Sequence, residues 1–117
     1  MRDFEIQANS MTFRGVQDGE EGAPVALLLH GFPDTFHSWE PLMGPLVEAG
    51  YRVVAPAMRG YAPSDVPADG RYQTAALSLD AIAIAEALGH HEADVLIGHD
   101  WGAIAAYGAA AHSPATW

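Results

Sequence analysis

The sequence predicts an α/β domain with a mostly parallel sheet and flanking helices. Two observations carry this. Residues 25–29 and 95–97 are short, continuously apolar runs, which suit strands buried on both faces of a parallel sheet. Segments with helical spacing of apolar residues follow these runs, and strands that alternate with helices imply parallel pairing through right-handed crossovers. The length of 117 residues fits one small domain.

Each element has its own justification. Residues 4–6 and 11–16 read as two short strands, followed by a turn-rich stretch at 17–24 with Asp18-Gly19 as its strongest signal. Residues 25–29 form the first buried strand, and His30-Gly31-Phe32-Pro33-Asp34 is the loop after it. Ser38 is the expected N-cap of a helix whose inner face is Trp39, Leu42, Met43, Leu46 and Val47. Pro41 fits its first turn, Pro45 should kink or shorten it, and Ala49-Gly50 ends it. Residues 51–55 are the next strand, closed by Pro56, and 58–71 form a loop rich in Gly, Pro, Ser and Asp. The clearest helix covers 74–88, with Leu77, Ala81, Ile84 and Leu88 on one face and Gly89 at its C-terminal cap. After the polar stretch 92–94 and the strand 95–97, a helix packed with Ala and Gly runs from Trp101 to His112. Its part at 103–111 is expected to pack closely beside the sheet, while Asp65, Asp69 and Arg71 are expected to be solvated.

Composition excludes several function classes. A formal charge of −10 argues against nucleic acid and anionic membranes, since both need a basic patch. There are no cysteines, so disulfides, thiolate metal sites and a cysteine nucleophile are out. The charged N-terminus has no apolar core of a signal peptide. The uncharged run 101–111 is well short of the roughly 20 apolar residues of a membrane span. A cytoplasmic location is the expectation.

The chemistry centres on Gly98-His99-Asp100-Trp101-Gly102. A sharp turn from a buried strand into a helix crowds the backbone, and small residues two before and two after the central one relieve the crowding. Gly98 and Gly102 hold those places. Asp100 is then presented in strained geometry at the carboxyl end of its strand, where open α/β sheets bind ligands, beside free N–H groups of the helix terminus. This is a nucleophile elbow with Asp in place of the usual Ser. The bland alternative is a helix cap, since Asp is among the best N-cap residues. A second motif tips the balance. His30-Gly31-Phe32-Pro33 follows the earlier buried strand, where hydrolases of this architecture take one oxyanion-hole donor from a loop backbone and the other from the residue after the nucleophile. The candidate donors are the N–H groups of Phe32 and Trp101. Gly31 permits close approach, and Pro33 could fix the loop through a cis bond. Alone, this stretch is an ordinary Gly-Pro turn.

These motifs, with Ser38-Trp39, Gly50-Tyr51-Arg52-Val53-Val54-Ala55-Pro56 and Met58-Arg59-Gly60-Tyr61, resemble the α/β-hydrolase fold from about Ala23 to Trp117. Within that fold they resemble the epoxide hydrolase and haloalkane dehalogenase branch. Asp at the elbow separates the branch from Ser esterases, and His-Gly-Phe-Pro with Asp-Trp-Gly looks more like epoxide hydrolases. Ala57 and Ala62 depart from the Asp and Gly that the family commonly carries there, at positions that shape a loop. The resemblance implies that the carboxylate attacks an epoxide carbon to give an alkyl-enzyme ester. Water activated by a histidine then hydrolyses this ester at the acyl carbon. An Asp ester can be cleaved by water, whereas a serine would give a stable ether. The resemblance also implies a helical cap domain whose tyrosines protonate the epoxide oxygen. The implied substrate is a small epoxide or alkyl halide, with no cofactor.

Triad order in this fold places the acid and the His after the nucleophile. Beyond Asp100 there is no Asp or Glu, and the single histidine, His112, lies about 18 Å down the same helix at ~1.5 Å per residue. His99 is expected to point away and pack. The expectation is therefore that residues 1–117 are one incomplete hydrolase core, less than half of a family member and inactive alone. The edge of the strand 95–97 would be unpaired and apolar, open to a complementing chain. The alternatives are a haloalkane dehalogenase, with the Trp101 indole donating to the halide, and a non-catalytic half-fold interaction module. His90-His91-Glu92 invites a metal reading, but no His-Glu-x-x-His is present, so no metal is expected. No Gly-x-Gly-x-x-Gly or Walker A motif supports nucleotide binding.

Overall fold

A computed structural model describes residues 1–89 and 95–117, so His90-His91-Glu92 and the polar stretch after it lie outside the described residues. Two strands, β1 (Arg2–Ala8) and β2 (Met11–Asp18), form an antiparallel hairpin. Asn9 and Ser10 turn it with positive φ of 49° and 62°, the backbone hand that matches strand twist in a two-residue loop. Both strands run longer than the apolar alternation suggested, because hairpin pairing recruits the polar ends as well. β3 (Val25–Leu29) follows, then a 3₁₀ turn (Phe36–Trp39), α1 (Glu40–Glu48), β4 (Arg52–Pro56), α2 (Thr74–Ala87), β5 (Val95–Gly98), α3 (Trp101–His112) and a second 3₁₀ turn (Pro114–Thr116).

The sheet order is β1-β2-β4-β3-β5. β3 pairs in parallel with β4 and β5, while β2 meets β4 antiparallel. The parallel half is the part read from the apolar runs, and the hairpin adds the antiparallel edge. Alternation along the inner strands feeds two cores. Val25, Leu27, Leu29 and Val54 pack with Leu77, Ala81 and Ile84 of α2 and Ala105 and Ala109 of α3. Leu28, Val53 and Ala55 pack on the other face with Phe36 and Met43. Each large aliphatic buried this way stabilises the fold by about 1.5–3 kcal/mol.

Two sequence expectations change. Thr35, not Ser38, caps the first helical turn, its side chain accepting the His37 N–H at 3.3 Å. The chain begins to coil one 3₁₀ turn before α1, which moves the cap upstream and leaves the Ser38 hydroxyl donating to Asp34. α3 buries Gly102, Ala105 and Ala109 but exposes Ile104 and Tyr107. Only one stripe of the Ala-rich helix is packed, because β5 is the sheet edge and no further element covers the other side among the described residues. Pro45 lies inside α1, which ends soon after it at Glu48. No helix among the described residues is long and apolar enough to cross a membrane.

Candidate active site

Asp100 joins β5 to α3 with φ 59° and ψ −119°, a backbone region that costs a non-glycine residue of order 1–3 kcal/mol. The flanking glycines explain how the turn is possible. A Cβ on Gly98 would stand 2.2 Å from the Gly102 carbonyl oxygen, and one on Gly102 would stand 2.0 Å from that of Leu29. The helix therefore starts directly against the ends of two parallel strands.

The Asp100 side chain makes no capping hydrogen bond to α3. It reaches instead across to the loop after β3, where the Phe32 N–H donates to Asp100 Oδ2 at 2.9 Å. The Phe32 N–H, with the backbone N–H of Trp101 nearby, holds the Asp100 carboxyl below the usual carboxylate range, because donors close to a carboxylate favour its ionised form. Asp100 is thus a carboxylate at neutral pH. Gly31 makes the approach possible, since a Cβ there would lie 2.6 Å from Asp100 Cβ. The Phe32–Pro33 peptide is cis.

His30 is 1% exposed and braces the loop from below. Its Nε2 accepts the Met58 N–H at 3.0 Å, so Nδ1 carries the proton and donates to the Gly31 carbonyl at 2.9 Å. Burial pushes its pKa down, and the Tyr61 ring packs edge-on against it at 4.8 Å. A neutral ring with both nitrogens engaged ties the loop after β3 to the loop after β4. His99 is exposed, contrary to the expectation that it packs, because it follows the edge strand, which no neighbouring strand covers on that side among the described residues. His112 is exposed at the far end of α3.

Beside Asp100 opens a cavity of about 490 Å³, lined by Gly31, Phe32, Met58, Arg59, Gly60, Tyr61, Tyr72, Leu77 and Trp101. Much of this wall belongs to the loop between β4 and α2. Ser64 anchors that loop, donating to the Ala57 carbonyl at 2.6 Å and accepting the Arg14 N–H at 2.8 Å. Arg59 and Asp80 form a buried bidentate ion pair, with Nε to Oδ2 at 2.5 Å and Nη2 to Oδ1 at 2.8 Å. Its hydrogen bonds to the Asp80 carboxylate raise the Arg59 pKa further. Arg59 Nη1 also donates to the Arg71 carbonyl at 2.7 Å, and Asn9 Nδ2 donates to Asp80 at 2.7 Å. Sequence reasoning missed Asp80. The signal was present, since it stands three residues after Leu77 and four before Ile84, on the buried face of α2. Asp65 and Arg71 are solvent-exposed as expected, although Asp65 also accepts the Thr12 N–H at 2.9 Å.

The structure brings Asp100, at the turn from β5 into α3, against the loop after β3, with the Phe32 N–H on its carboxylate. A family model of the alpha/beta hydrolase fold matches residues 24–115. The chain belongs to the α/β-hydrolase fold family. This α/β-hydrolase is 39% identical over 115 residues to an epoxide hydrolase of Caballeronia sordidicola, covering 97% of this chain and 34% of that protein. It is 40% identical over 105 residues to epoxide hydrolase A of Mycobacterium tuberculosis, covering 89% of this chain and 32% of the relative. The crystal structure of epoxide hydrolase A from Mycobacterium thermoresistibile superposes with a TM-score of 0.90 at 37% identity, over 98% of this chain and 36% of that one. The chain thus spans about a third of the length of the relatives it matches.

Proposed function

We propose that this α/β-hydrolase chain is the N-terminal part of an epoxide-hydrolase-like enzyme and that Asp100 is its nucleophile. The observation that carries the reading is the Phe32 N–H on Asp100 Oδ2 at 2.9 Å. It ionises the carboxylate, aims it away from the helix and puts a donor where negative charge would develop later. Oδ1 attacks an epoxide carbon, the C–O bond breaks, and the alkoxide takes a proton from a cap residue. Water then adds to the Asp100 carboxyl carbon. The oxygen held by Phe32 becomes the oxyanion, with the Trp101 N–H as its second donor, and collapse releases the diol and restores the carboxylate. His30, Gly31, Pro33, Gly98 and Gly102 shape this machinery. The base for the second step is not His30, whose ring nitrogens are both engaged, nor His112. Because the base follows the nucleophile in the chain order of this fold, and His112 is the one histidine after Asp100, the base is assigned to chain beyond these residues, and residues 1–117 alone are expected to show no turnover.

The edge of β5 supports the same reading. Among the described residues β5 pairs with β3 alone, and Leu96, Ile97, Tyr107 and Trp117 line an open groove beside it. A complementing segment or chain would complete the sheet there. The proposed compartment is the cytoplasm, in keeping with the lack of cysteines.

A second reading, dehalogenation, has one observation in its favour: the Trp101 side chain lines the cavity, where its indole N–H could meet a leaving halide. Product analysis separates the two. Full-length protein given styrene oxide and, separately, an alkyl bromide should form the diol from the epoxide and release no bromide. Bromide release without diol formation would overturn the epoxide reading in favour of the other.

A further inference from the structure

The cavity beside Asp100 has an aromatic wall whose side chains the backbone donors of the elbow do not explain. Phe32, Tyr72 and Trp101 are all large, substantially exposed and arranged around this one space. Tyr72 is 46% exposed, yet its ring is closely held. Gly60 has a φ of +81°, and a Cβ on it would stand 2.5 Å from Tyr72 Cε1 and 2.6 Å from its hydroxyl oxygen. The hydroxyl end of the ring therefore lies against the bare backbone of Gly60. The residue before it is gripped as well, since Arg59 Nη1 holds the Arg71 carbonyl at 2.7 Å while Asp80 holds the same guanidinium. Gly60 is fixed in turn by its N–H to the Asp65 carbonyl at 2.9 Å. An aromatic ring kept half in solvent by a buried ion pair and a glycine shelf is prepared for something other than the core.

We infer that Tyr72 is a specificity-determining residue of the proposed reaction, its ring stacking on an aryl substituent of the epoxide. The inference rests on the proposed function. Three exposed aromatic rings around one cavity, Phe32, Tyr72 and Trp101, offer offset or edge-to-face contact to a flat apolar group, and a ring already seated against Gly60 loses less freedom on binding. A short alkyl substituent cannot reach all three. Arg59 and Asp80 are positioning residues here: they place Tyr72 and do not touch substrate.

The test uses full-length protein, with styrene oxide and propylene oxide as competing substrates and diol as product. In Tyr72→Ala, the ratio of kcat/KM for styrene oxide over propylene oxide should fall about tenfold, while Tyr72→Phe keeps it. Tyr72→Leu is the second variant, keeping apolar bulk without the ring, and its ratio should fall like that of Tyr72→Ala. Circular dichroism confirms that each variant is folded. An unchanged ratio in folded Tyr72→Ala or Tyr72→Leu overturns the inference. Diol from neither substrate with the unaltered enzyme overturns the proposed function instead.

Discussion

Asp100→Asn in the full-length protein should abolish ester formation and lower turnover by about four orders of magnitude or more, as loss of a nucleophile does elsewhere. The effect is expected to be almost wholly chemical. Asn keeps an oxygen to accept the Phe32 N–H, found at 2.9 Å in the unaltered chain, and Asn tolerates the positive φ of 59° at this position as well as Asp does. The thermal midpoint should therefore change little. Turnover near the original value would contradict the assignment, provided mass spectrometry shows that the amide has not hydrolysed back to Asp. If Asp100 were only a helix cap, the same substitution would leave activity untouched.

The second large effect is on stability. Asp80→Ala should destabilise the full-length protein by about 3–5 kcal/mol, because it leaves the Arg59 guanidinium buried without its counter-charge. The side chains of Arg59 and Asp80 are 5% and 7% exposed, so water cannot replace the lost partner. Asn9 loses an acceptor as well. Such a loss is a large share of the 5–15 kcal/mol that holds an ordinary domain together. Urea unfolding should show a lower midpoint with little change in slope. Removing both partners, as in Arg59→Met with Asp80→Leu, should recover much of the stability. A loss below about 1 kcal/mol for Asp80→Ala, typical of a solvent-exposed pair, would contradict the account of the pair as the clamp on the cavity wall.

Much of this architecture was legible in the chain itself, for local reasons. Residues 25–29 are apolar at every position, and they form a strand buried along its whole length. Trp101–His112 is helical to the residue, since a glycine elbow before it and Ser-Pro after it mark both ends. Gly98 and Gly102 pointed to a crowded turn, and the close approaches at both positions bear that out. What local pattern did not carry is pairing across distance. The hairpin at Asn9-Ser10 has no glycine to announce it, and its full length depends on cross-strand partners. Arg59 and Asp80 are far apart in sequence and meet only because the loop after β4 folds over α2. The cap at Thr35 was missed because a 3₁₀ turn precedes α1 without an apolar period of its own. Tyr72 looked like any residue before a helix until Gly60 came to lie beneath its ring.

The central claim, that a carboxylate oxygen of Asp100 enters the product, has a direct measurement. A single turnover of an epoxide is run in heavy-oxygen water with excess full-length enzyme, and the peptide containing Asp100 is weighed by mass spectrometry. The account predicts heavy oxygen in Asp100 and ordinary oxygen in the first diol, because water attacks the ester at its acyl carbon. Heavy oxygen in the first diol, with Asp100 unlabelled, would mean that water opens the epoxide directly. The residue would then be a base or an anchor and not the nucleophile.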